Sequence, residues 1–309
     1  MKHPIVIVVR EPTKLESLFP RLGEEASRAL QEGRLFIGAR RARGASESVA
    51  AGDEVTIYPA RGAGAELPRI LAERAGVVAA YKPAAMATVA DHRGAAGTLE
   101  REIAKLRGSP DAVLTPTSRL DVGVSGVVLF TSNDEARRRL AQARERGRYR
   151  RHYVAIAQGA PDPPRGRWTA PIGRARDPRK RQVGGTAAVP AATAYAVAAS
   201  TGSSSLLAVE PQTGRTHQIR VHAAHAGCPL LGDASYGGSR RLVTDRGSVV
   251  ALDRIALHAA WVEVPISRTE WLRFEAPPAD DLVAIWTTLG GARSAWTTAW
   301  DAIPDSERE

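Results

Sequence analysis

The chain has 309 residues, a formal net charge of +10 at pH 7, and 43% hydrophobic and 25% charged residues, an ordinary composition for a soluble protein of about two domains. No apolar run approaches the roughly 20 residues that span a bilayer, and residues 1–9 are too short for a secretion signal, so a cytoplasmic protein without a membrane partner is expected. The single cysteine, Cys228, excludes an intramolecular disulfide and a cysteine-rich zinc site, and reads as a small buried apolar residue.

Residues 1–9 predict a short strand. Lys14–Leu22 and Glu24–Gln31 predict two short helices, the second stopped by Gly33. Leu35–Ile37 and Val55–Tyr58 predict strands, with a turn at Ala51-Gly52-Asp53. Gly62, Gly64 and Pro68 mark a linker, placed at 61–74. In the larger domain that follows, Val77–Tyr81 is a strand ending at Lys82-Pro83, Thr98–Leu106 is helical, and Gly126–Phe130 is a buried strand. Asn133 caps a helix running to about Arg146, with acidic residues in its first turn. Tyr153–Ala157, Thr193–Ala198 and Leu206–Val209 are strands. Thr216–Ala226 is a helix closed by Gly227 and Pro229, and Ala279–Leu289 is a last helix. Strands and helices do not alternate regularly, so the expectation is an α+β fold with a mainly antiparallel sheet. The expected domains are 1–60 and 75–289, with a peripheral tail over 290–309.

The charge is regional. Between Arg137 and Arg181, fourteen Arg and one Lys stand against Glu145, Asp162 and Asp177. Arg forks match phosphate oxygens, so this stretch points to a polyanion partner. It lacks the apolar face of a membrane-surface helix.

Three polar segments stand out in the larger domain. Thr117-Ser118-Arg119-Leu120-Asp121-Val122-Gly123-Val124-Ser125-Gly126 sets an Arg and an Asp two apart before an apolar strand, which by itself allows a plain surface ion pair. Tyr149-Arg150-Arg151-His152-Tyr153 places aromatics among cations. Thr213-Gly214-Arg215-Thr216-His217-Gln218-Ile219-Arg220-Val221-His222 is a glycine turn opening a polar helix, whose N-terminus beside Arg215 suits an anion.

In this order the three segments resemble the RluA-type family of pseudouridine synthases. "TGRTHQIRVH", with His225-Ala-Gly-Cys-Pro-Leu-Leu-Gly-Asp-Ala-Ser-Tyr-Gly237 after it, is the most specific part. Lys82-Pro83, Pro171-Ile172-Gly173-Arg174 and Leu257-His258-Ala259 add to it, and the resemblance covers about residues 75–280. Ahead of it, Ser27–Gly38 and Ala51–Ile57 resemble the alpha-L RNA-binding domain of the ribosomal-protein S-four type, with Gly38 where that family usually carries Asn. RNA contact there would rest on Arg34, Arg40, Arg41 and Arg43.

The resemblance implies an isomerase that converts uridine to pseudouridine in ribosomal or transfer RNA, acting as a monomer without metal or cofactor. It makes Asp121 the central carboxylate, as nucleophile or as base on the sugar. Such a carboxylate must stay ionised in a dry pocket, which calls for a fixed cation; the matching residue is Arg220. Tyr153 matches the aromatic that stacks on the base. Arg119 matches the residue that enters the RNA stack when the uridine flips out, and Ile219 matches part of the apolar wall. Arg215, His217 and Gln218 are expected on the substrate, and Arg150, Arg151, Arg174 and Lys180 on the RNA. The first segment departs from the usual "HRLDxxTSG": Ser118 replaces His, and Val122-Gly123-Val124 follows the aspartate, with Val124 removing a hydroxyl.

Competing readings are weaker. His217, His222 and His225 have no acidic neighbour and no HExxH pattern, against a metal site. After Ser125, Gly126 falls one place early for an esterase elbow, and no P-loop is present. His258 reads as a packed residue. Lys82, at a strand end, reads as RNA contact or plain surface. The tryptophans read as core or tail packing. The serious alternative is a non-catalytic RNA-binding protein on the same scaffold, motivated by the altered loop after Asp121.

Overall fold

The computed structural model describes residues 5–57 except 24, 32 and 39, and residues 66–90, 97–243, 249–267 and 269–303. Part of the expected linker (61–65) and the end of the expected tail (304–309) lie outside the described residues; the linker expected over 61–74 is corrected at its end, where Arg69–Arg74 is a strand paired with Val77–Lys82.

Near the N-terminus, helix Glu25–Gln31 ends before Gly33, whose φ of +67° is a left-handed geometry that glycine adopts without strain. Strands Ile5–Val8, Glu54–Ile57, Leu35–Ile37 and Arg40–Arg41 follow one another in an antiparallel sheet. Leu15, Leu18, Leu22, Ala29, Leu35 and Ile37 fill a core of their own beneath it. The helix predicted over Lys14–Leu22 is broken in two. Thr13–Lys14 pairs with Ser48–Val49, and a 3-10 turn at Leu15–Leu18 precedes the single helical turn Phe19–Leu22. Pro20 sits at the start of that last turn, where its missing N–H is tolerated but would interrupt a longer helix.

The rest of the chain is organised by a ten-stranded sheet. Its main path runs Arg165–Trp168, Thr193–Thr201, Ser204–Pro211, Arg150–Gln158, Leu257–Pro265, Ser125–Thr131, Val77–Lys82 and Arg69–Arg74. Every pairing is antiparallel except that of Ser125–Thr131 with Leu257–Pro265. The α+β expectation with a mainly antiparallel sheet therefore holds. The sheet is apolar on both faces, as two-residue periodicity shows in its middle strand. Tyr153, Ala155 and Ala157 enter one core with Ile219, Leu99 and Ile103, while Val154 and Ile156 enter the other with Leu282, Val283 and Trp286.

Two sequence features fix this arrangement locally. Asn133 accepts a 2.8 Å hydrogen bond from the Ala136 N–H and so caps helix Asp134–Glu145, a contact that stabilises by about 1 kcal/mol. Gly126 has a φ of +120°, and a Cβ there would run into the Ala259 backbone, so only glycine lets the parallel strand pair close.

The expected peripheral tail is corrected for residues 290–303. Helix Arg293–Thr298 packs Trp296 (1% exposed) beside Trp286, and Ile303 joins a further cluster under the sheet. The Trp286 indole donates to the Ala292 carbonyl at 3.1 Å, across which Gly291 makes a close approach. Burying such aromatic surface contributes about 2–3 kcal/mol per side chain, so the segment belongs to the core. Its apolar residues, Ala292, Ala295, Trp296, Ala299 and Ile303, recur at helical spacing, a signal in the sequence that the expectation of a peripheral tail overlooks.

Candidate active site

The segment carrying Asp121 is held from below before it reaches the strand Ser125–Thr131. Leu120 is sunk in the core, and its N–H and C=O both bond the buried Thr88 hydroxyl at 3.1 Å. The Asp121 carbonyl accepts from the Val124 N–H at 3.0 Å, closing a turn. Lys82 corrects both expectations for it. It is fully buried, and its ammonium donates to the carbonyls of Pro83 (3.0 Å), Met86 (2.7 Å) and Val122 (3.3 Å). It thus fastens the loop after Asp121 to the end of its own strand. Val124 packs with Leu120 in the same core, so the missing hydroxyl is replaced by apolar packing.

The helix that supplies Arg220 is Gln218–His225, shorter at its start than predicted because His217 takes a left-handed conformation (φ 59°, ψ 19°). The Gln218 amide is spent inside the protein. Its oxygen accepts from the Thr213 hydroxyl and the Arg215 N–H, and its nitrogen donates to the Ala192 carbonyl and the Thr193 hydroxyl, all within 2.6–2.9 Å. Gln218 thus shapes the loop 213–217 while also lining the cleft. His222 is likewise tied to Thr193 and to the Ala170 carbonyl.

Arg220 and Asp121, 99 residues apart, meet at 2.7 Å, from Nη1 to Oδ2. The other side of the same guanidinium grips Asp233, Nε to Oδ2 at 2.6 Å and Nη2 to Oδ1 at 2.8 Å. Arg220 and Asp233 are 3% and 2% exposed, whereas Asp121 is 32% exposed and opens onto the cleft. Burial alone would raise the Asp121 pKa. The charge and hydrogen bond of Arg220, with Lys82, outweigh burial and hold the carboxyl below the usual carboxylate range, and His217 adds to this only in its protonated form. Burial opposes the charge of Arg220 too, but its bonds to Asp233 and Asp121 raise its pKa and keep it a cation. Among the described residues Asp121 Oδ1 accepts no hydrogen bond. One carboxylate oxygen is anchored and the other is unbonded at the cleft.

The cleft has a volume of about 680 Å³ and is lined by Arg119, Tyr153, Arg215, His217 and Ile219 as well as by Asp121 and Arg220, a size that accommodates a nucleoside with its phosphates. Tyr153 is 7% exposed, and burial pushes its phenol up, so it stays protonated. Arg119 is exposed at the rim, with no hydrogen bond or ion pair among the described residues. Phe36 and Gly38 of the N-terminal sheet also reach the cleft. That sheet is tied down by ion pairs Arg179–Asp53 and Arg240–Glu54 at 2.8 and 2.7 Å.

The basic stretch does not form one face. Arg151 is buried in the cleft wall, where it donates to the carbonyls of Pro211 and Thr213 at 3.0 and 2.7 Å. Its neighbour Arg150 instead reaches Glu263 (3.5 Å) and the Trp271 ring, outside the cleft. Arg174 lies on an adjacent hollow of about 290 Å³ with Arg181 and Arg215, and Lys180 sits at the turn of that hairpin, half-buried. In the N-terminal unit Arg40 is paired with Glu47, Arg41 lies over the Phe36 ring at 5.8 Å, and Arg34 is half-buried.

Several residues that shape the site escaped the sequence reading. Asp233 lies within the quoted glycine-aspartate motif, which was its only signal. Arg254 donates to the Ser125 hydroxyl (2.8 Å) and forks onto Asp281, and Ser125 Oγ lies 2.8 Å from Nδ1 of the buried His258. Burial, then the charge of Arg254, pushes His258 down to about 3, so it is a neutral packed residue. Cys228 is buried, with its thiol pushed up to about 11. Among the described residues no group of three or more His, Cys, Asp or Glu could hold a metal ion, and no helix is long and apolar enough to cross a membrane.

Comparison with known proteins adds the family. The family model of RNA pseudouridylate synthase matches residues 76–225. The chain is 40% identical over 210 residues to an uncharacterised RNA pseudouridine synthase, YhcT, of Bacillus subtilis, covering 64% of this chain and 65% of that protein. It is 34% identical over 175 residues to an uncharacterised RNA pseudouridine synthase of Zymomonas mobilis, covering 56% of this chain and 74% of that one. Other relatives are named ribosomal large subunit pseudouridine synthase D. The chain spans between 43% and 65% of the length of most of these curated relatives. The solved structure of human RNA pseudouridylate synthase domain containing 4 superposes with a TM-score of 0.56 at 24% identity, covering 72% of this chain and 92% of that one, so the fold is shared. With Asp121, Tyr153 and Arg220 lining one cleft of that fold, this chain belongs to the RNA pseudouridylate synthase family.

Proposed function

We propose that this protein isomerises specific uridines to pseudouridine in a structured RNA, ribosomal or transfer, with Asp121 as its catalytic carboxylate, and that it acts as a cytoplasmic monomer without metal or cofactor. The observation that carries the reading is the two-sided state of Asp121: Oδ2 is anchored on the buried Arg220, and Oδ1 is unbonded at the cleft. Moving uracil from its nitrogen linkage to a carbon linkage requires cleaving the glycosidic bond, turning the base and rejoining it. No redox step is involved. An ionised carboxylate at the sugar, as nucleophile or as base, is the central reactive group, and the fixed guanidinium keeps it ionised while the cleft is dry. Forming the C5–sugar bond also requires the C5 proton to leave and N1 to gain one, a transfer for which the resemblance offers Tyr153.

Tyr153 would stack on the uracil, with Ile219 as the apolar wall that lets the detached base turn. Arg119, exposed at the rim, suits the gap left in the RNA stack when the uridine flips out. Arg151, Arg174, Lys180 and Arg215 line the approach for phosphates, and the N-terminal unit acts as an alpha-L RNA-binding domain through Arg34, Arg40, Arg41 and Arg43. The ribosomal target is favoured by relatives named for the ribosomal large subunit.

The test is incubation of the purified protein with ribosomal and transfer RNA transcripts, followed by mass spectrometry for pseudouridine. Product from the unmodified protein, and none from Asp121→Asn with RNA binding retained, is expected. Binding without product across both RNA classes would leave only the non-catalytic RNA-binding reading. The packing of Val124 beside Leu120 weighs against that outcome, because the altered loop is filled and fastened.

A further inference from the structure

His217 carries two features that the chemistry above leaves unused. Its backbone is left-handed (φ 59°), a conformation that costs a residue with a bulky side chain and that glycine or asparagine adopts more easily. Its ring bridges two groups: Nδ1 lies 2.7 Å from the Tyr236 hydroxyl, and Nε2 lies 3.8 Å from Asp121 Oδ2. Histidine is among the residues enriched in this region, so the ring's two contacts, and not the backbone, point to its use.

The direction of the bridge depends on its far end. The Tyr236 oxygen already accepts from the Arg181 N–H at 3.0 Å. Among the described residues, His217 Nδ1 is then the one acceptor within reach of the phenol hydrogen. If the phenol donates to Nδ1, the proton of the neutral ring sits on Nε2, the edge facing Asp121; the opposite tautomer would have Nδ1–H donate to the phenol oxygen and turn a bare Nε2 toward the carboxylate. Arg181 opens the strand Arg181–Val183, whose hairpin partner carries Arg174. A chain thus runs from the backbone of a basic hairpin through Tyr236 and His217 to Oδ2, the oxygen that Arg220 also holds. At 3.8 Å the last link is open, and a ring shift of about 0.6–1 Å would bring it to hydrogen-bond distance.

We propose that His217 and Tyr236 are positioning residues for Asp121: Tyr236 fixes the Nε2–H form of His217, which directs its donor at Oδ2, keeps Oδ1 as the reacting oxygen and ties the carboxylate to the Arg174–Arg181 hairpin. This rests on the reading of Asp121 as the reacting carboxylate.

Tyr236→Phe keeps the ring that lies 4.9 Å from the Arg220 guanidinium and removes only the hydroxyl. It is expected to lower kcat by ~10-fold with KM for RNA unchanged, and His217→Gly, which also relieves the backbone, by ~100-fold. Because Tyr236 acts through His217, adding Tyr236→Phe to His217→Gly should lower kcat no further. Nitrogen-15 NMR of labelled histidine, with the His217 signal identified by its loss in His217→Gly, should show the proton on Nε2 in the unmodified protein and a mixture of tautomers in Tyr236→Phe. Wild-type kcat in Tyr236→Phe, additive losses in the double variant, or a proton on Nδ1 in the unmodified protein would each overturn the proposal. Absence of product from the unmodified protein would instead defeat the synthase reading, and the NMR experiment would still judge the bridge.

Discussion

Two arginines of this protein each hold a pair of aspartates, and they differ in almost nothing but solvent. Arg220 binds Asp233 and Asp121 with contacts of 2.6–2.8 Å. Arg179 binds Asp53 at 2.8 Å and Asp177 at 2.8–3.2 Å. Yet Arg220 is 3% exposed and Arg179 34%. Near the surface such pairs are worth little, because water competes for each charge and salt screens the rest. In the interior the same contacts cannot be given up without stranding a charge. Arg220 faces two carboxylates, and the buried Lys82 supplies a second positive charge to the same neighbourhood. Burial, not contact geometry, suits one pair to the proposed chemistry and leaves the other as a fastening between two parts of the chain.

The largest effect should come from removing the buried cation. Arg220→Met leaves Asp233 buried without its partner and should cost about 3–5 kcal/mol in urea denaturation, with single-turnover pseudouridine formation down by ~1,000-fold. Arg220→Lys keeps the charge but cannot fork onto both carboxylates, so it should recover part of the stability and little of the rate. An equal cost for Arg220→Met and Arg179→Met would erase the distinction between the two sites.

Lys82 sharpens it next. Lys82→Met leaves the Pro83, Met86 and Val122 carbonyls without their donor, for a loss of about 1–3 kcal/mol measurable in the same denaturation series. Removing that charge also lets the Asp121 pKa rise, so the acid limb of the single-turnover rate should move to higher pH. An unmoved limb would show that Lys82 serves the backbone alone.

A smaller effect lies in the pH dependence of stability. The folded Asp121 carboxyl is depressed relative to the unfolded chain. Its contribution is therefore fully present above the ordinary aspartate value and is lost as pH falls through the lower folded value. Asp121→Asn should flatten that part of the acid limb at all ionic strengths. Asp177, also held down, chiefly by its hydrogen bond to Arg179, should contribute a smaller slope that added salt removes. If salt flattens both equally, Asp121 is exposed to solvent far more than its contacts with Arg220 and Lys82 imply.

The sequence made some of this legible and hid the rest for physical reasons. Strand Leu35–Ile37 and the Asn133 cap follow from local rules, and they stand where those rules put them. The meeting of Asp121 with Arg220 has no local signature. It came from resemblance, because 99 residues and several strands separate the partners. Lys82 was misread because a lysine at a strand end normally reaches solvent, and only three converging carbonyls make the interior tolerable. Arg150 and Arg151 are adjacent in sequence, but one faces Glu263 and the other the cleft. A count of charge along the chain cannot separate them.

The smallest effect completes the contrast at Arg179. Arg179→Ala should cost about 0–1 kcal/mol at low salt, and the difference from the unmodified protein should vanish near ~1 M salt, where screening acts over ~3 Å. Asp53 is the less exposed of the two partners, and its other oxygen accepts from the Ala50 N–H at 2.9 Å. Asp177 likewise accepts a backbone N–H, from Arg179 at 3.0 Å, so Asp53→Ala should exceed Asp177→Ala through the deeper burial of Asp53 (9% against 28% exposed), in a component that salt does not remove. Urea denaturation of the three variants at low and high salt separates the two parts. A salt-independent loss for Arg179→Ala as large as that for Arg220→Met would mean that the N-terminal sheet is locked onto the catalytic fold by a buried charge, and its edge at Phe36 and Gly38 would then be a fixed wall of the cleft instead of a salt-sensitive one.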